Sequence, residues 1–438
     1  MAPTGPRRAG VRPISDIQPE RSSRLRGVFA PFAVRSFRFQ WPGDLATSLA
    51  FEMETLILNW FVLVTTGSVM LQTAFAALQF LGTLVAPAIG SLGDRLGRRA
   101  MIAAMRGFYL LLAGCLAALG LTDRLDPTAV FAIAALAGLV RPSDLVMRNA
   151  LVGDTMADRL LVSAMGFSRT TQDLARIAGA LIGATLFQSL GIGPAYLVVG
   201  AFYLAAFGLS FGVGGRRARA RRRGLSVPAE LRAGYRHIRR TPALMAGMWL
   251  DFLVNFTGYP VTSGLMPFAA REVYGLDAVG LSHLLASYAA GAFIGSFVMA
   301  VGGGPRRSPV GAVFAGVFLW YLLLAVFSQM VEKWAGMAVL VALGTVQGGA
   351  MIGLAVFLLR RSNPRLRGMV MGVRMLMVYG MAVGLPLGGV LIETVGYRAT
   401  VLSYAFVGLA GTALIAFRWR RALFGAEAAG RPSRIAAG

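Results

Sequence analysis

The stretch VGAVFAGVFLWYLLLAVF, residues 310–327, contains no charged side chain. It is close to the length that crosses the hydrocarbon core of a bilayer as a helix, and runs like it recur along the whole chain. Inside lipid the backbone has no water to bond to, so only a helix or a closed barrel can span. Long continuous runs, rather than short alternating ones, select helices. We place them at 43–66, 69–91, 99–121, 128–151, 161–190 and 194–213, then at 243–269, 279–301, 309–330, 334–359, 368–394 and 397–419. The expectation is an all-α integral membrane protein with twelve transmembrane helices. Composition agrees: 14% of residues are charged, against about 25% in a soluble globular protein.

The formal charge of +24 suggests nucleic acid as a partner, but its distribution argues otherwise. With twelve spans both termini share a side. Of 43 Lys and Arg residues, 34 fall on the side of the termini, counting Arg99, Arg148 and Arg418 near span ends; only Arg124, Arg271, Lys333 and Arg398 fall on the opposite side, and the other five, Arg106, Arg141, Arg169, Arg176 and Arg374, lie within spans. This asymmetry follows the positive-inside rule, placing both termini and the central loop in the cytoplasm of a cell (inner) membrane protein. The positive charge then sets orientation and meets anionic membrane lipid, with no nucleic acid expected. Cys115 is the single cysteine and sits in an apolar span, which excludes a disulfide framework.

The spans divide the chain. Residues 1–42 are a polar cytoplasmic arm without the apolar core of a cleavable signal peptide, its last part, FAPFAVRSFRFQW, lying at the membrane surface. A six-helix bundle fills 43–213. The basic central loop, 214–242, contains PAELRAGYRHIRR, which can form an amphipathic helix on the inner leaflet. A second six-helix bundle fills 243–419, followed by a polar tail over 420–438. The halves carry a weak repeat. GALIGATLFQSLG (179–191) and GLPLGGVLIETVG (384–396) register at an offset of 205, setting Gly179, Gly183 and Gly191 on Gly384, Gly388 and Gly396, and Arg169 on Arg374. Gly179, Gly183, Gly384 and Gly388 are candidates for close helix packing, since glycine lets backbones approach. Repeated halves with a site between them are a signature of secondary transporters.

Between spans 2 and 3 stands GSLGDRLGRRAMI, residues 90–102. Its glycines and polar run suit a tight turn between apolar helices. Asp94 can sit against a positive helix N-terminus, while Arg95, Arg98 and Arg99 can anchor at the interface. The plainer reading is an ordinary short basic loop. The order and spacing of Gly90, Asp94, Arg95, Gly97, Arg98 and Arg99, however, resemble the signature loop of the major facilitator superfamily, G-x-x-x-D-R-x-G-R-R. That resemblance implies the major facilitator fold, two pseudo-symmetric six-helix bundles, with Asp94, Arg95 and Arg98 in a charge relay gating the cytoplasmic side. The corresponding loop of the second half, GGGPRRS (302–308), keeps glycines and arginines but lacks the Asp. Further stretches, AVRSFRFQWPGDLATSL, LMPFAAREVYGLDAVGLSHLLASYAAGAFIGS and NPRLRGMVMGV, are similar to the enterobactin-exporter and macrolide-efflux type branch, which implies efflux. The chain departs from that branch at Val146, where a Pro is usual. It also has Ala180 where antiporters often have the Pro of a Gly-Pro pair; Pro386 keeps that Pro in span 11.

Charges within spans are costly and mark pathways or pairs. At about 100° per residue, Asp44, Ser48, Glu52, Thr55 and Asn59 share an arc of about 80° on span 1. That stripe faces other helices or a wet cavity, whereas Glu54 points toward a neighbouring helix. Asp251, Asn255, Tyr259 and Thr262 form a similar stripe on span 7. In the superfamily both spans line the central cavity, so Glu52 and Asp251 can approach a substrate from opposite halves. Desolvation disfavours the charged form of a buried carboxyl group, which makes either one a candidate proton carrier; the alternative is a packed hydrogen bond without titration. Glu54, Asn59 and Asn255 are secondary candidates. Arg141 and Asp144 in span 4, Arg169 and Asp173 in span 5, and Arg374 in span 11 are candidates for gating or coupling. Arg169–Asp173 and Asp173–Arg176 have intrahelical pairing distance, and Arg106 is near enough the cytoplasmic side to snorkel. The intramembrane acids and arginines balance, so the substrate's charge stays open.

No phosphate-binding loop of the G-x-x-x-x-G-K-[ST] type occurs, and His237 and His283 are too few for a metal or haem centre. No cofactor or metal is expected and no enzyme activity. The sequence thus reads as a monomeric secondary transporter, exporting a small amphipathic molecule (drug, siderophore or secondary metabolite) by proton antiport. A proton-coupled importer of the same fold and a non-transporting membrane sensor or scaffold are the alternatives.

Overall fold

The computed structural model describes residues 29–428, apart from 84, 87, 88, 90–92, 94, 95, 215–226, 303–308, 364 and 365. Spans 1, 3, 4, 5 and 6 are the helices Arg35–Thr66, Arg98–Leu121, Pro127–Thr155, Asp158–Leu190 and Ile192–Ser210. Spans 8, 9, 10 and 12 are Ala278–Gly302, Pro309–Phe327, Lys333–Arg361 and Tyr397–Arg418. Among the described residues nine helices are long and apolar enough to cross a membrane. Spans 2 and 7, which are broken, and span 5, which carries charge, complete two six-helix halves. The end bearing Arg35, Arg98, Arg240, Arg361 and Arg418 is called the arginine-rich face below; Gly67, Gly191 and Gly396 lie at the opposite face.

Each break has a local cause. Span 2 is helical over Val69–Leu78 and resumes as a single 3-10 turn at Leu81–Thr83. Here it crosses span 4 so closely that a side chain at Gly138 would overlap the Leu78 carbonyl, and one at Gly82 the Leu139 carbonyl. Span 7 begins as an α-helix, Pro242–Leu253, then widens into π turns at Val254–Gly258, Pro260–Gly264 and Ala269–Val273. Pro260 has no N–H to give the preceding turn, and its carbonyl accepts from the Leu265 N–H five residues on, at 2.8 Å. Span 11 runs from Arg367–Met375 through a 3-10 turn, Leu376–Val378, into Tyr379–Val395.

Span 1 begins earlier than expected: of the segment placed at the membrane surface, 35–41 forms the first two turns of the span's helix, and Ala30–Ala33 forms a separate 3-10 turn before it. Phe37 is fully buried in a cluster with Val152, Met156 and Ala164, and the Trp41 indole N–H donates to Thr171 Oγ1 at 2.8 Å. The central connection holds the helix Val227–Arg240, whose buried residues include Gly234, against Met369 at the foot of span 11, and Ile238. Arg232, Tyr235, Arg236, Arg239 and Arg240 are exposed.

The internal repeat is visible in the backbone. Gly191 joins span 5 to span 6 with φ +82, and Gly396 joins span 11 to span 12 with φ +84. Each is the sole residue between two helices, in a conformation that favours glycine. The helix crossings repeat as well. A side chain at Gly179 would meet Leu49 O of span 1 at 2.9 Å, and one at Gly183 the Met53 backbone at 2.8 Å. In the second half Gly380 would meet Phe252 O of span 7 at 2.8 Å, and Gly384 the Phe256 carbonyl. Gly388 differs, facing the Tyr404 hydroxyl at 3.1 Å and Leu265 at 3.2 Å.

The two halves are drawn together near the opposite face. Ser68 Oγ–H and the Met70 N–H both donate to Glu393 Oε1, at 3.1 and 3.2 Å. Gln72 Nε2 donates to Gly264 O at 2.9 Å, and Arg271 Nη1 to Leu63 O at 3.0 Å. Leu56, Trp60, Val69, Ala180 and Ala184 of the first half join the core of the second. One stripe of span 5 marks where contact ends: Ala184 and Ala180 are buried, whereas Arg176 and Arg169, on the same side of the helix, are exposed. The halves therefore part from about mid-depth toward the arginine-rich face.

Candidate functional site

Charged side chains within the spans fall into two populations. The first is sealed inside the N-terminal half. Asp44 pairs with Arg106, which also donates to Ser210 Oγ at 2.9 Å and Ala206 O at 3.1 Å. Arg148 pairs with Asp144 and donates to Ser48 Oγ at 3.0 Å and Asp44 O at 3.3 Å. These bonds tie span 1 to spans 3, 4 and 6. A side chain at Gly43 would strike the Arg106 guanidinium at 2.6 Å, so that glycine makes room for the pair. Two sequence expectations are corrected here. Arg106 does not snorkel but is buried, its guanidinium held by Asp44, Ser210 and the Ala206 carbonyl. Arg148, assigned to the cytoplasmic side, is buried as well.

About two to three turns deeper, Glu54 pairs with Arg141 of span 4 and accepts from the Tyr203 hydroxyl of span 6 at 2.9 Å. Arg141 also donates to Thr55 Oγ1 at 3.3 Å and lies 3.6 Å from the Phe51 ring centroid, a cation–π contact. Glu54 thus meets neighbouring helices, and Arg141 and Asp144 belong to this sealed set rather than to the space between the halves.

The second population faces that space. Glu52 is 3.7 Å from Arg176 of span 5, and Arg169 is 3.3 Å from Asp173. Arg176, expected to pair within its own helix, reaches span 1 instead. Across the gap Asp251 receives two bonds from Arg374 of span 11, at 3.1 and 3.3 Å. Each half therefore presents a carboxylate from its first helix held by an arginine from its fifth. The repeat aligns Arg374 with Arg169, yet the matching reach is made by Arg176, two turns further on. The stripes themselves match at an offset of 207: Asp44, Ser48, Glu52 and Thr55 against Asp251, Asn255, Tyr259 and Thr262. Tyr259 takes the place of Glu52 and accepts from Gln347 Nε2 at 2.5 Å. Asn255 Nδ2 donates to Asp251 O at 2.8 Å, within its own helix.

Asn59 is placed elsewhere. Its Oδ1 accepts from Gln72 Nε2 at 3.0 Å, the same amide that bonds Gly264 O of the other half. It belongs to the closure near the opposite face, not to the open space. In the signature loop, Gly97 has φ +94 and caps span 3. Arg98 pairs with Asp154 at 2.7 Å and donates to Ala150 O at 3.1 Å, and Arg99 donates to Phe211 O at 2.5 Å. Gly90, Asp94 and Arg95 lie outside the described residues, as do 1–28 of the N-terminal arm, 303–308 of the second loop and 429–438 of the tail. Sequence reasoning missed Arg148, Asp154, Gln72 and Glu393. Asp154 carried a signal, an acid one turn past the end of an apolar run and opposite the basic loop.

Residues 41–382 match the family model described as Major Facilitator Superfamily. No curated protein matches the sequence. Among solved structures, the nucleoside transporter NupG superposes with a TM-score of 0.70 at 14% identity, over 88% of this chain and 99% of that one. A bacterial homolog of the human lysosomal transporter Spinster, inward-facing and unoccupied, gives 0.69 at 14% identity over 96% and 100%. The human organic anion transporter MFSD10 (TETRAN) gives 0.59 at 18% identity over 87% and 99%. At these identities the likeness is one of fold.

Proposed function

The chain belongs to the major facilitator superfamily, and from that premise we propose a secondary active transporter that moves a small amphipathic compound by alternating access. One observation carries the reading. Charged pairs from opposite halves, Glu52–Arg176 and Asp251–Arg374, face a single space that is held shut at one end and parted at the other. Solute binds there, and exchange of the closure from one face to the other carries it across. The positive-inside rule assigns the arginine-rich face and both termini to the cytoplasm of a cell (inner) membrane, and the working unit is a monomer. Glu52 and Asp251 are the proton carriers, each neutral when its guanidinium is withdrawn. Arg98 and Arg99, with Asp94 and Arg95 of the same loop, form the cytoplasmic gate. Resemblance to the efflux branch supports export by proton antiport.

The test is transport in proteoliposomes under an imposed pH gradient, with a panel of labelled amphipathic solutes. Glu52→Gln and Asp251→Asn are each expected to abolish gradient-driven movement, Glu52→Gln with thermal unfolding near that of the parent and Asp251→Asn, whose carboxylate is buried, with a lower unfolding temperature. Full coupling in both variants removes these residues as proton carriers. A parent protein that moves no solute at all supports the sensor instead.

Import by proton symport is the second reading, and the cavity pairs favour it: the arginine is the more exposed partner of each. A solute that draws the guanidinium away leaves the carboxyl favouring its neutral form, so solute and proton bind together, and by reciprocity each tightens the other. Solute moving with the protons in the same assay selects symport; solute moving against them selects antiport.

A further inference from the structure

We infer that the solute carries an anionic group, a carboxylate or a phosphate ester, bound by the guanidinium groups of Arg176 and Arg374. The inference rests on the reading of the inter-half space as the solute path. Formal charge along that space is balanced, yet the two signs are not equally presented. The arginine and acid side chains are 65% and 10% exposed in Arg169–Asp173, 45% and 26% in Arg176–Glu52, and 19% and 7% in Arg374–Asp251. In all three the carboxylate is the inner partner and the guanidinium the outer one.

Arginine's length does not account for this. At the two ends of the molecule the order reverses: Asp154 is more exposed than Arg98, and Glu272 more than Arg271. In the sealed pairs of Arg106, Arg141 and Arg148, neither partner is open. Among the described residues, only the pairs lining the space present their positive ends. A cleft with low-dielectric walls focuses such a field. A guanidinium also offers a planar fork that takes carboxylate or phosphate through two bonds, and Arg374 already makes such a pair of bonds to Asp251. A solute anion competes for the same geometry, whereas a cation meets the guanidinium before it can reach either acid.

The sign of the cavity can be read without knowing the solute. Gln172 lies one turn from both Arg169 and Arg176 and is partly exposed. In a Cys115→Ser background, Gln172→Cys is treated with anionic 2-sulfonatoethyl and cationic 2-(trimethylammonium)ethyl methanethiosulfonate. The protein is held in phosphatidylcholine nanodiscs, and rates are normalised to those of free 2-mercaptoethanol. The anionic reagent is expected to be favoured on the order of tenfold or more, and the preference to fall in the Arg176→Gln, Arg374→Gln variant. A normalised ratio of one or below overturns the inference. Thermal stabilisation of the unaltered protein provides a second measure: 2-naphthoate and 2-naphthyl phosphate are expected to stabilise it, and 2-naphthylmethylammonium is not. Preference for the ammonium, or no response to either anion, also overturns it. Anion binding without gradient-driven movement in proteoliposomes would leave this inference standing and remove the transport reading; movement of the cation alone would do the reverse.

Discussion

Glu52 and Glu54 stand two residues apart on one helix and have opposite surroundings. Glu54 is enclosed by Arg141 and Tyr203, whereas Glu52 meets Arg176 at the edge of the open space. Their consequences on substitution should differ accordingly. Losing one partner of a buried pair leaves an uncompensated charge and costs about 3–5 kcal/mol. Arg141→Gln and Arg106→Gln are therefore expected to lower thermal stability sharply, and Asp44→Asn combined with Arg106→Gln to cost less than the two single losses added. An exposed pair contributes about 0–1 kcal/mol, so Arg176→Gln should fold close to normally in the same thermal-unfolding assay and show its defect in transport. That each acid needed a partner was legible from its place in an apolar run. Which arginine answers it was not, because Arg106, expected at the interface, and Arg176, expected to pair with Asp173, both reach acids of span 1.

At the level of elements, small residues set the distances between helices. Gly183 and Gly384 each bring a fifth helix of a half against the backbone of the first. Forcing a side chain into such a contact costs about 1–3 kcal/mol. Gly183→Val and Gly384→Val are expected to lose that much stability, measured by unfolding in nanodiscs. Gly114→Ala, where a side chain would meet nothing within 4 Å, should be nearly neutral. The glycine register was readable as a repeat at an offset of 205. The widening of span 7 into π turns was not, although Pro260 marks the place, because which register the chain adopts past a proline depends on packing against spans 9 and 11.

For the whole molecule, the contacts that join the halves are apolar within and polar at their rim. Glu393 holds the start of span 2 by two bonds, and both groups are exposed. A contact of that kind contributes up to about 1 kcal/mol, so Glu393→Gln is expected to shift the balance of the two access states by a few-fold. Spin-label distances between spans 2 and 11 near the opposite face would register this as a larger population of separated halves; an unchanged distribution would show that Glu393 does not contribute to the closure. A disulfide between Ser68→Cys and Glu393→Cys should arrest transport, with reductant restoring it.

The sequence by itself determined the class of molecule: long apolar runs satisfy their backbone in lipid by forming helices. It also determined the twofold organisation, through repeated glycines whose left-handed turns at Gly191 and Gly396 no other residue adopts as readily. Only the tertiary structure decided which charges are sealed and which face the gap. Helical geometry fixes the direction a side chain takes from its own axis, but the side that becomes buried depends on where the neighbouring helices stop. Ala180 and Arg176 lie one turn apart on one face of span 5, and the halves separate between them.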